Sequence, residues 1–126
     1  VRKTEEGMAF RALMLSEEKV ISCELLRAEV VSIFRKLCRH GLIPIEKVQS
    51  FLTESTALVN EYYSIQELQE EVLSESIRLD HSSYDMFYFV LARRFGATLF
   101  TLDRKLIRLC EEQGVQCVAI LENGEF

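Results

Sequence analysis

SSYDMFYFVLARRFGATLFTLDRKLIRL, residues 82–109, reads as a helix, a glycine break, a short strand and a second helix in immediate succession. Tyr84 to Ala92 is apolar almost all the way round, the composition of a helix buried on more than one side, and Asp85 is the one charge that interrupts it. After Gly96, the run Ala97–Thr101 is short, uncharged and β-compatible, so a buried strand is expected. It ends at Leu102-Asp103, and Arg104 to Glu112 resumes helical spacing. This puts a carboxylate at the carboxyl end of a buried strand and another at the start of a buried helix. Open α/β sheets place their ligand crevices outside those strand ends.

Outward from this stretch, helices and short strands alternate. A helix is expected over Thr4–Leu15, with acids in its first turn. Lys19–Ser22 reads as a strand. Glu24–Arg39 is a long helix with the stripe Leu26, Val30, Ile33, Phe34 and Leu37, and Gly41 closes it. Pro44 is the first or second residue of a helix that carries Ile45, Val48, Phe51 and Leu52 to about Val59. Glu61–Ser64 is a weak strand or turn. Ile65–Ile77 is an acidic amphipathic helix with Leu68, Val72, Leu73 and Ile77 inward. Beyond Gly114 come a strand at Gln116–Leu121 and an exposed tail, residues 122–126. Strands separated by helices need crossovers, so a single α/β domain spanning 1–126 is expected, with a mostly parallel central sheet flanked by helices on both faces.

Composition narrows the function classes. The chain has 126 residues, 48% hydrophobic and 28% charged, which suits one globular domain. No apolar run approaches the ~18 residues of a membrane span, and residues 1–10, VRKTEEGMAF, lack the apolar core of a signal peptide. Cys23, Cys38 and Cys110 fall in helical patterns and Cys117 in a strand pattern, far apart and without zinc-ligand spacing. Buried free thiols and a reducing, cytoplasmic setting are expected. His40 and His81 lie beside polar or loop residues and are expected to be solvated. The net charge of −5 offers no general basic field to nucleic acid. Acids crowd residues 54–80, where Arg78 is the only base, while bases gather at Arg35-Lys36-Arg39-His40, Arg93-Arg94 and Arg104-Lys105-Arg108.

Three acids stand out. Glu29 lies roughly 40–60° from Leu26 and Ile33 at ~100° per residue, on the edge of its helix's apolar stripe, where it must be partly desolvated. A salt bridge would satisfy it. Ser82 and Asp85 fit an S-x-x-D capping box, and Asp103 fits an N-cap. Each acid alone has a structural explanation; the set asks for another.

The runs RAEVVSIFRK (27–36) and YDMFYFVLARRFGATLFTLDRKL (84–106) resemble the PIN-domain ribonucleases, most closely the VapC-type toxins of toxin–antitoxin pairs. The resemblance spans roughly residues 5–120. It implies a PIN-like fold and a metal-dependent endoribonuclease that hydrolyses single-stranded RNA with metal-activated water. By motif position Glu29, Asp85 and Asp103 take the catalytic and Mg²⁺- or Mn²⁺-ligating roles, and Thr101 hydrogen-bonds within the acid cluster. Arg93, Arg94 and Arg104 become candidates to steer RNA phosphate. A small antitoxin protein and a homodimer are the implied partners. The chemistry is coherent: crowded carboxylates stay ionised when a hard divalent cation neutralises them. The chain departs from the family at its start. The family's first strand and its aspartate have no counterpart, since no Asp precedes Asp80 and the sequence opens on Val1. A truncated chain is the leading expectation, ahead of an inactive domain or a strand supplied by a partner. The rival reading is a PIN-like protein-interaction module without nuclease activity, which the missing aspartate favours.

Overall fold

The computed structural model describes residues 19–119. The helix expected at Thr4–Leu15 and the tail at 122–126 lie outside them. The described chain is α/β, with five helices and four short strands, and it divides into two compact units, the first being Lys19–Glu67 and the second running on from Leu68.

In the first unit, β1 (Ile21–Cys23) leads through α1 (Leu25–Arg39) and α2 (Ile45–Ala57) to β2 (Glu61–Tyr63). The two helices make the crossover that parallel strands require, and Ser22 stands opposite Tyr62. The ladder extends past both strand ends. Asn60 N–H donates to Val20 O at 2.8 Å, Val20 N–H donates to Asn60 Oδ1 at 2.7 Å, and Glu24 N–H donates to Tyr63 O at 2.8 Å. Tyr62 is fixed from two sides: its hydroxyl donates to Thr56 O at 2.8 Å, and the Arg27 guanidinium lies 3.8 Å from its ring centre. Cys23 is fully buried and ends β1, not a helix as its sequence pattern suggested. Pro44 precedes its helix as an extended N-cap (φ −64°, ψ 141°), just outside the expected position. Ile33, expected in the α1 stripe, is 52% exposed, and no residue of α1 is fully buried.

The second unit holds most of α3 (Ile65–Leu79), then α4 (Ser83–Phe95), β3 (Leu99–Thr101), α5 (Arg104–Gln113) and β4 (Cys117–Ala119). Its core joins Leu68 and Val72 of α3 to Met86, Phe89, Val90, Leu91 and Ala92 of α4, with Leu99, Leu106, Leu109 and Cys110 beyond. α4 is the all-round apolar helix that its composition requires. Gly96 ends it in the left-handed region (φ 61°), with Gly96 N–H donating to Arg93 O and Ala97 N–H to Ala92 O, a Schellman end that turns the chain into β3. β3 is buried only at Leu99; Phe100 is exposed because it occupies the opposite face of a two-stranded ribbon.

Two expectations need correction. The strands are parallel, but among the described residues they form two separate two-stranded sheets, β1–β2 and β3–β4, instead of one. In α3, Leu73 and Ile77 face solvent. The inward face follows Leu68, Val72 and Glu75, and the carboxylate takes the place assigned to apolar side chains because arginines meet it there.

α3 also ends in a Schellman turn, yet Asp80 occupies its left-handed position (φ 50°), with His81 N–H donating to Ser76 O. A non-glycine residue is strained in that region. Asp80→Gly is therefore expected to stabilise the protein by about 0.5–1 kcal/mol, read as a rise in thermal midpoint.

Candidate carboxylate site

Asp103 follows the carboxyl end of β3 by two residues. Its backbone N–H donates to Thr101 Oγ1 at 3.0 Å, so the Thr101 hydroxyl accepts from the main chain of the aspartate and not from a carboxyl group. In extended conformation (φ −79°, ψ 116°) Asp103 caps α5: Oδ1 accepts from Lys105 N–H at 2.8 Å and from Leu106 N–H at 3.2 Å. The capping role open in the sequence is thus real, and it uses one oxygen. Oδ2 has no hydrogen bond to any described residue, beside the positive end of a helix dipole.

Asp85 lies in the first turn of α4, but the capping box does not form. Ser82 is the extended N-cap and makes no side-chain cap bond, and the Asp85 carboxylate turns instead to His81, with Nε2 and Oδ2 3.1 Å apart. The His81 side chain is only 11% exposed, which corrects the expectation of a solvated ring. The turn that closes α3 carries the imidazole back against α4, four residues before its partner.

Glu29 is half-buried on α1, in the other unit. Its neighbourhood is visible through Cys23, the last residue of β1. Burial pushes that thiol's pKa up, hydrogen bonds to the Leu25 and Leu26 backbone partly offset this, and the charges of Glu29 and Glu24 raise it further. Glu29 itself stands in the second turn of α1, the helix that follows β1. Within either unit, among the described residues, no three His, Cys, Asp or Glu side chains are grouped as metal ligands.

The arginines divide into two groups. Arg93 donates to Glu75 Oε2 at 2.6 Å and Glu71 Oε2 at 2.7 Å, and Arg94 donates to Glu71 Oε1 at 2.7 Å. Glu75 also accepts from Arg78, Nε donating to Oε1 and Nη2 to Oε2, each at 2.7 Å. Hydrogen bonds from Arg78 and Arg93 hold the Glu75 carboxyl down at about 2, and those from Arg94 and Arg93 lower Glu71. This cluster joins α3 to α4 and neutralises two of the three cations expected to meet phosphate. Arg104 is exposed and makes no ion pair with any described residue.

His81 and Glu75 escaped the sequence reading. The i,i+4 spacing of His81 and Asp85 was a usable signal, as was the position of Glu75 in register with Leu68 and Val72. All four cysteines are free, and Cys23 and Cys110 are buried. Burial, with a smaller contribution from Cys117, pushes the Cys110 thiol up to about 12, so it is inert at neutral pH. Among the described residues no helix is long and apolar enough to cross a membrane. No protein-family model matches the chain, and no curated protein matches it significantly.

Proposed function

We propose that the chain is a PIN-like, VapC-type endoribonuclease that hydrolyses single-stranded RNA with Mg²⁺ or Mn²⁺. The resemblance assigns Glu29, Asp85 and Asp103 to the cation, and of these Asp85 and Asp103 lie in one unit. One observation carries this reading: Asp103 sits just beyond the carboxyl end of a parallel strand, where open α/β sheets bind ligands, and keeps an oxygen outside its capping bonds. Asp85 adds a carboxylate released from capping. The donor chemistry fits a hard cation, since carboxylate oxygens are offered without thiolate. When bound, the cation would neutralise these charges and activate water for in-line attack on the phosphodiester. Thr101 fixes the Asp103 backbone, and Arg104 is the base best able to meet phosphate. Arg93 and Arg94 serve first in the α3–α4 ion pairs.

A second reading, a PIN-like interaction module without nuclease activity, draws on the first unit. There α1 and α2 enclose an apolar groove of about 470 Å³, lined by Val31, Phe34, Cys38, Ile45, Val48 and Leu52, with Arg35 and Arg39 also on its wall. Such a groove suits the apolar side of an acidic peptide and would equally seat the antitoxin that the first reading implies; a homodimer remains part of that reading. The two diverge on RNA. The nuclease cuts a labelled single-stranded RNA with Mn²⁺, stops in EDTA and recovers on re-addition of Mn²⁺. Cleavage that persists in EDTA, or none with either metal, would refute it.

A further inference from the structure

We propose that α3 of one copy of the chain docks in the α1–α2 groove of a second copy, a head-to-tail contact between two different surfaces. In the groove, Phe34, Cys38, Val48 and Leu52 are half-buried, while Val31 and Ile45 stay 53% and 71% exposed. Arg35 and Arg39 share the lining; both are exposed and make no ion pair with any described residue. Among the described residues no acid lines the groove. Its chemistry therefore suits a helix that presents aliphatic side chains together with a carboxylate.

α3 carries such a face on its outer side. Leu68, Val72 and Glu75 point into the second unit, whereas Leu73 and Ile77, on the opposite side of the helix, are 62% and 73% exposed. Their spacing of four residues stacks them one turn apart, the arrangement by which a helix anchors in an apolar groove. Glu70, three residues before Leu73, falls on the same face; it is exposed and makes no ion pair with any described residue. Docked, Leu73 and Ile77 leave water for the apolar lining, and Glu70 meets the free guanidiniums of Arg35 and Arg39. The resemblance implies a homodimer without naming its surfaces, and these two would supply them. The contact can close reciprocally about a two-fold axis or add copies in a row.

The test is sedimentation velocity of the full chain from about 1 μM to 1 mM, for wild type, Ile77→Lys, Ile45→Asp and an equimolar mixture of the two variants. Both side chains are exposed, and each new charge suits its end of the helix, a cation in the last turn of α3 and an acid in the first turn of α2. Circular dichroism and thermal midpoints should therefore match wild type. Wild type is expected to associate as its concentration rises, and each variant alone to associate at least about 10-fold more weakly. The mixture is expected to regain association as a one-to-one dimer, because each variant keeps the surface that the other has lost. A wild type that stays monomeric throughout overturns the proposal and leaves the groove to a different protein. Association that both variants retain overturns it by placing the contact elsewhere. A mixture no more associated than its separate components overturns it too, since the two surfaces would then not meet.

Discussion

Asp103→Asn is expected to reduce single-stranded RNA cleavage by at least about 100-fold while leaving the fold intact. The separation of these two effects makes the substitution informative. Asp103 caps α5 through Oδ1, and asparagine caps a helix about as well as aspartate, so the Lys105 and Leu106 amides keep their acceptor. The negative charge that a cation requires is lost. Circular dichroism and thermal midpoint should therefore stay near wild type as the rate collapses. Asp103→Ala is the companion variant, removing the cap as well at about 1 kcal/mol. If Asp103→Asn retained full activity, the residue would be a cap and nothing more.

Glu75→Ala is expected to destabilise the second unit by about 2–3 kcal/mol, at or below the ~3 kcal/mol lower bound for breaking a fully buried ion pair because both arginines keep access to water. The side chain is 12% exposed and accepts from both Arg78 and Arg93. Arg78 is 55% exposed and can turn to water, which tempers the loss; Arg93, one-third exposed, keeps only Glu71. The same site predicts acid lability. Glu75 falls from its ordinary 4.5 to about 2, so the pairing contributes fully above pH 4.5 and is lost as pH drops towards 2. Thermal midpoints of wild type should decline across that window, and those of Glu75→Gln should decline less. A stability loss under about 0.5 kcal/mol would mark the cluster as an ordinary surface pair.

The order of elements from β1 to β4 was legible because it is written locally. Helical periodicity, the glycine at 96 and the uncharged run before Thr101 each specify their own segment. Asp103 as a cap was legible for the same reason. What the sequence concealed depends on partners distant in the chain. Glu75 looks like a solvated acid until Arg93, eighteen residues on, is folded against it. Leu73 and Ile77 look inward until that pairing rotates the buried face of α3. Asp85 matches a capping box whose serine makes no cap bond, and the competing His81 contact depends on a left-handed Asp80 that no local rule predicts. The split into two strand pairs is likewise a matter of which strands meet, and apolar patterning marks strands without naming their neighbours.

The central claim is that Asp85 and Asp103 belong to a divalent-cation site. Calorimetric titration of the metal-free chain with Mn²⁺ addresses it without relying on any RNA. Saturable binding that Asp85→Asn and Asp103→Asn each weaken is the predicted result. Binding that is absent, or that survives both substitutions unchanged, would contradict it.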